Sequence, residues 1–137
     1  MIIAAPLLED IVAHARDEYD AECCGMVAYA PGVDGSGPVA VRVHRAVNIH
    51  ASRKRFEIDG KELLSAINAF EDEGWELGAI YHSHTHTAPY PSQTDINFAA
   101  SWPGLEWVIV GLADEVPDVR CYMIDGPEVR DVELEVS

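Results

Sequence analysis

The sequence predicts an α/β fold in which helices pack on a mixed β-sheet. Three observations carry that expectation. Two stretches place apolar residues at helical spacing, two short runs are apolar throughout as buried strands are, and others alternate apolar with polar residues as half-buried strands do. A length of 137 residues, with 48% hydrophobic and 24% charged residues, suits one domain over residues 1–137 with its own core.

Leu7, Leu8, Ile11, Val12 and Ala15 share one helical face and Glu9, Asp10, Arg16 and Asp17 the other, which predicts a helix over roughly residues 6–18. Residues 23–30 form a nearly continuous apolar run closed by Pro31-Gly32, a buried strand. Asp34-Gly35-Ser36-Gly37-Pro38 follows as a surface turn. Val39, Val41 and Val43 then alternate with Ala40, Arg42 and His44, so this strand is expected to pair with the first as a hairpin. Phe56 and Ile58 repeat the alternation on a shorter scale and predict another strand. Asp59 is a candidate N-cap, with Glu62 at the third helical position, for a helix striped with Leu63, Leu64, Ile67 and Phe70 that stops at Gly74. Residues 77–84 read as a strand leading out of the core, a short helix starts near Ser92, and residues 107–112 read as a central strand. Residues 119–124 form the next strand. After the turn at Asp125-Gly126-Pro127, Val132, Leu134 and Val136 alternate with Asp131, Glu133 and Glu135 in one last strand with a wet face.

Charge narrows the partners. With 24 Asp and Glu against 9 Lys and Arg, the formal net charge is −15. Such a chain repels phosphate backbones and anionic lipid, and Arg53-Lys54-Arg55, the only basic run, is too short to reverse that field. Neither nucleic acid nor a membrane surface is expected as a partner. The first residues lack the basic segment of a signal peptide, and the longest apolar run, residues 107–113, is too short to span a bilayer, so a cytoplasmic protein is expected. Cys23, Cys24 and Cys121 make neither an even disulfide set nor a Cys-x-x-Cys pair, and read as reduced thiols. Oligomeric state is left open, a homodimer included.

Six histidines are present, and His82, His84 and His86 alternate within Tyr81-His82-Ser83-His84-Thr85-His86-Thr87. Residues i and i+2 of a strand face the same way, about 7 Å apart, so two imidazoles at a strand end can converge on one ion. Zinc accepts such ligands, and a catalytic site adds a third protein ligand while keeping one position open. Asp95, in the first turn of the helix near Ser92, can swing back over the strand end to supply it. Taken singly, each feature has a plainer reading. Paired histidines are often solvated side chains on an edge strand, and Ser92-x-x-Asp95 is also a capping box. A cap needs no histidines, however, and a solvated histidine pair needs no cap.

The combined pattern resembles the JAMM (MPN+) metalloproteases, whose signature is an upstream Glu, then His-x-His, seven residues, Ser, two residues and Asp. His82, His84, Ser92 and Asp95 match without a gap, and Glu22-Cys23-Cys24-Gly25-Met26-Val27 is similar to the family's Glu-x-Cys-Gly segment. The resemblance spans the element order from the first helix through the strand at Trp107. It implies a mixed sheet flanked by helices, of cytidine-deaminase-like architecture, with Zn2+ held by His82, His84 and Asp95. Zinc so held brings the pKa of a water down to about 7. The match further implies that Glu22 acts as general base and then returns the proton to the leaving amine, and that Ser92 donates a hydrogen bond to the developing oxyanion. His86 lies outside the ligand pair and falls at the rim, facing substrate or water.

The resemblance also implies a substrate: the amide after the C-terminal Gly-Gly of a ubiquitin-like protein. Only ten residues, 96–105, separate Asp95 from Glu106, which leaves little room for the inserted loops of deubiquitinating relatives. The chain therefore looks like the minimal bacterial branch, the Mec+-type peptidases of cysteine biosynthesis. There a ThiS-like sulfur carrier bears cysteine on its terminal glycine, and the peptidase releases it. Arg53 or Arg55 could pair with the free carboxylate of that cysteine, or the basic run could simply guard a strand edge. Trp102, before Pro103-Gly104, packs in the core or lines a groove for the Gly-Gly tail. Two other readings stay open: an isopeptidase that removes ubiquitin-like modifiers from lysines, and a non-catalytic MPN scaffold. A zinc nucleobase deaminase fails, because its His-x-Glu and Pro-Cys-x-x-Cys elements are absent.

Overall fold

The computed structural model describes residues 1–33 and 35–137, so Asp34 of the expected turn lies outside the described residues. Among those residues the elements run β1 (Ile2–Ile3), α1 (Ala5–Glu18), β2 (Cys24–Ala30), β3 (Val39–Ala46), α2 (Gly60–Asp72), β4 (Glu76–His84), α3 (Gln93–Ala99), β5 (Glu106–Gly111), β6 (Asp118–Asp125), β7 (Glu128–Val132) and β8 (Glu135–Val136). The strands form one mixed sheet in the order β7-β6-β5-β4-β2-β3-β1-β8. β2 is antiparallel to both β3 and β4, as the expected hairpin requires, while β4 and β5 run parallel through a crossover that contains α3.

The sheet is curled. β7 and β8 lie at opposite edges, yet only Glu133 and Leu134 separate them in the chain. Three residue steps reach about 10 Å at most, so the two edges must approach each other. The closure is fastened through the N-terminus: the Met1 ammonium donates to the Glu133 carbonyl, and the Glu135 N–H donates to that of Met1. The single last strand expected from alternation is therefore two short strands on different edges. Alternation reports which face of a strand is wet; it carries no information about which edge the strand joins.

Strand alternation divides the core between two faces. Met26, Ala28, Ile80, Trp107 and Ile109 pack with Leu63, Ala66 and Phe70 of α2 and Ala99 of α3. Val27, Tyr29, Ala79, Tyr81, Val108 and Val110 pack with Ile11 and Ala15 of α1. The α2 stripe differs from expectation at Leu64, which is 59% exposed. One helical step turns about 100° from Leu63, and Ala66 fills the inward position instead. Asp59 caps α2 by accepting from the Lys61 N–H, but Glu62 turns away to His44 and to the Val47 N–H. Phe56 and Ile58 are buried without forming a strand, since only a bridge between Asn48 and Ile58 occurs there.

Tyr81 shows how tightly the α1 face is built. Its ring lies over Gly25, the opposing residue of β2, and its hydroxyl pairs with His14 Nδ1 at 2.7 Å. A Cβ at Gly25 would overlap the ring, and Tyr81 is fully buried with nowhere to move. Gly25→Ala is expected to destabilise the fold by about 2 kcal/mol, read as a lower urea midpoint.

Candidate active site

β4 carries the site at its C-terminal end, where His82, Ser83 and His84 are all buried. The pleat sends the two histidines to the α2–α3 face and Ser83 to the α1 face. There the Ser83 hydroxyl accepts from the Cys23 N–H at 2.8 Å, and the Ser83 N–H donates to the Cys23 carbonyl at 3.2 Å. On the other face the His82 ring stacks on Phe56, with centroids 4.5 Å apart.

His82 Nε2 and His84 Nε2 stand 3.1 Å apart, and each is 3.1 Å from Asp95 Oδ2. Asp95 reaches them from the first turn of α3. Its N–H donates to the Ser92 hydroxyl and its carboxylate accepts the Ser92 N–H, so the capping box exists and presents the same carboxylate to the histidines. The cap and the ligand group are therefore one arrangement. Because Ser92 Oγ accepts in the cap, its own hydrogen remains free to donate elsewhere.

The donor set suits a cation. His84 Nδ1 lies 2.9 Å from the Ala88 carbonyl, which can only accept, so in the neutral ring the proton sits on Nδ1 and Nε2 presents its lone pair to Asp95. Facing lone pairs in a buried place are relieved by a cation between them or by a proton, and although burial lowers it, Asp95 and the Ala88 carbonyl leave the His84 pKa raised. Two ligands at about 2.0–2.1 Å from a tetrahedral zinc ion stand about 3.3 Å apart, close to the nitrogen separation found here. Burial and His84 drive the His82 pKa down, against the pull of Asp95, which favours the neutral ligand form. Burial alone would raise the Asp95 pKa; the two histidines and the Ser92 N–H outweigh it and hold the carboxyl well below its usual range.

Glu22 and His84 line one cavity of about 460 Å³ together with Arg53, Lys54, His86, Thr87 and Ser92. The Glu22 side chain is buried, and that burial pushes its pKa up to about 8 in the metal-free protein, with Asp95 adding and His84 opposing. Ser83 ties the next residue, Cys23, to the strand that bears the histidines. Ser83→Ala would leave the buried Cys23 N–H without its partner and is expected to cost about 1–3 kcal/mol, measurable by denaturant titration.

The structure thus gathers Glu22, His82, His84, Ser92 and Asp95 at one place. Arg53 lies on the cavity wall, with its guanidinium 3.8 Å from Asp20, and exposed His86 lies on the rim, edge-on to Tyr19. Arg55 and Trp102 are not among the lining residues: the Arg55 carbonyl binds Asn48, and Trp102 packs half-buried against the core. Thr87 joins the lining, and Phe56 supports His82 from a segment expected to be a strand. The sequence signal at Phe56 was its apolar character, which marks burial and not what the ring lies against.

The chain and its curled mixed sheet are matched by known proteins. The family model described as prokaryotic homologs of the JAB domain matches residues 4–125, and the chain belongs to that family. It is 34% identical over 131 residues to the CysO-cysteine peptidase of Mycobacterium tuberculosis strain H37Rv, covering 92% of this chain and 84% of that one. It is 32% identical over 142 residues to the desampylase of Haloferax volcanii, covering 98% and 95% respectively. Among solved structures, protein DSY2949 from Desulfitobacterium hafniense superimposes with a TM-score of 0.87 at 29% identity, covering 100% of this chain and 93% of that one. No helix among the described residues is long and apolar enough to cross a membrane.

Proposed function

We propose that this protein is a zinc-dependent peptidase of the cytoplasm. It hydrolyses the amide after the C-terminal Gly-Gly of a ubiquitin-like, ThiS-like sulfur carrier and releases cysteine in cysteine biosynthesis. The observation that carries the reading is the buried His82-His84-Asp95 group, whose His84 lines one cavity with Glu22 and Ser92. Likeness to a CysO-cysteine peptidase over most of both chains supports the choice of substrate.

His82, His84 and Asp95 would hold the zinc ion, which when bound supplies a Lewis acid that activates water at neutral pH. Glu22 accepts the proton of the attacking water and delivers it to the amine as the amide breaks. Its place beside His84 on the cavity wall suits both duties, since a general base must lie within reach of the proton it moves. The Ser92 hydrogen, left free by the cap, is donated to the substrate oxygen as negative charge develops there. Arg53 on the wall and His86 on the rim are placed to meet the carrier tail or the attached residue.

The desampylase relative supports a second reading, an isopeptidase that detaches ubiquitin-like modifiers from protein lysines. A non-catalytic MPN scaffold is disfavoured by the complete set of ligand and base residues. Intact-mass spectrometry of a ThiS-like carrier bearing one extra C-terminal cysteine tests the first reading. Loss of one cysteine residue, dependent on zinc, is expected. An unchanged mass in the presence of zinc-loaded protein overturns it, and lysine-linked conjugates then test the second.

A further inference from the structure

Glu22 sits between the end of α1 and the start of β2, outside both. Its two peptide groups are taken instead by one loop. The Glu22 N–H donates to the Ser52 carbonyl at 2.7 Å, and the Glu22 carbonyl accepts from Asn48 Nδ2 at 3.0 Å. Nδ2 also donates to the Arg55 carbonyl at 3.0 Å, while Oδ1 accepts the N–H groups of His50 and Glu57 at 3.1 and 3.2 Å. A side-chain amide has two donor hydrogens and two acceptor lone pairs, so every one of them is used. Three fold residues 48–57 around Asn48, and the fourth reaches Glu22.

The same loop touches the metal-ligand strand. Phe56 stacks on His82, and the Thr85 hydroxyl, one residue beyond His84, donates to the Arg53 carbonyl at 3.4 Å. Ala51 holds φ at +46°, a conformation that costs a residue with a Cβ and is kept here by its N–H bond to the Asn48 carbonyl and the bonds around it. Glu22 and the histidines are 60 residues apart in sequence, and this loop is packed against both.

We propose that Asn48 is a positioning residue. It sets Glu22 at its working distance from the His82-His84-Asp95 group by holding the Glu22 carbonyl and by organising the loop that braces His82. The proposal rests on the reading of Glu22 as general base. A loop that served stability alone would matter equally to every property of the protein; a positioning loop matters to the chemical step.

Two variants separate these roles. Asn48→Asp keeps an oxygen for His50 and Glu57 and removes both N–H donors, and Asn48→Ala removes all four bonds. Wild type and variants are compared for zinc content, thermal midpoint, and kcat and KM on the carrier–cysteine conjugate. Asn48→Asp is expected to retain one zinc per chain and a KM within about threefold of wild type, while kcat falls by about 10–100-fold, as misplacement of a reacting group does. A wild-type kcat in Asn48→Asp overturns the proposal, and so does a loss shared equally by zinc content and KM. Should wild type cleave no conjugate, the functional reading fails on its own, and amide exchange decides the positioning. Faster exchange over residues 20–24 in Asn48→Asp, with β4 unchanged, supports it; unchanged exchange there overturns it.

Discussion

Asp95→Ala is expected to abolish both zinc binding and peptidase activity, whereas Glu22→Gln keeps the zinc and loses the activity. The two carboxylates lie on either side of His84 in different surroundings: Glu22 lines the cavity, and Asp95 is bound to the histidines and the Ser92 N–H. Asp95 is kept ionised by His82, His84 and the Ser92 N–H, the condition of a ligand. Its removal leaves two imidazoles without an anionic partner and strips α3 of its capping carboxylate. Glu22 is not in the converging group of donor atoms, and its amide analogue preserves shape while losing the ability to take up a proton. General acid–base catalysis contributes about 100- to 10,000-fold, which sets the loss expected for Glu22→Gln. Metal analysis after desalting, alongside carrier cleavage, reads both. Full zinc retention by Asp95→Ala would remove it from the ligand set, and activity within tenfold of wild type in Glu22→Gln would remove Glu22 as the base.

In chelator-treated protein the same Glu22→Gln substitution is expected to stabilise the fold, and to do so increasingly as pH rises. The Glu22 carboxyl titrates at about 8 in the metal-free fold against an ordinary value of 4.5. Its folded-state pKa is raised, so its contribution to stability is fully present below the unfolded value and is lost as pH climbs through the window between the two. In that window the unfolded chain ionises and the folded chain cannot. At 1.36 kcal/mol per unit, the penalty grows by about 3 kcal/mol between about pH 5.5 and pH 8. Asp95 has the opposite sign: its depressed pKa lends stability above the ordinary carboxylate range, lost as pH falls below it. That contribution is common to both proteins and cancels from the comparison. Urea titrations of wild type and Glu22→Gln at the two pH values, with chelator present, check the prediction. A constant difference between them would mean that Glu22 ionises freely in the folded state. Glu22→Gln therefore trades function for metal-free stability, as expected where a buried acid is kept for chemistry.

Most of the elements were legible in the residues because their signals are local. The helical stripe of residues 7–15, the unbroken apolar run of β2 and the His-x-His alternation each report a periodicity that the backbone must satisfy within a few residues. The gathering of His82, His84 and Asp95, with Ser92 as the helix cap, was legible for the same reason: they lie within fourteen residues on a strand end and the next helix start, so a short stretch of chain brings them together. Tertiary structure decided what no period encodes. It split the last strand between two edges of a curled sheet, because edge choice depends on where strands distant in sequence have already paired. It turned Phe56 and Ile58 into the buried side of a loop, and it placed Glu22 opposite histidines 60 residues away through its own hydrogen bonds to Asn48 and Ser52 and those of the next residue, Cys23, to Ser83. A resemblance pointed to Glu22, but its residues alone could not, since one acid among many carries no mark of its partners. Local periodicity determines which face of an element is buried; the contacts that make a site reactive cross between elements, and they exist only after the chain has folded.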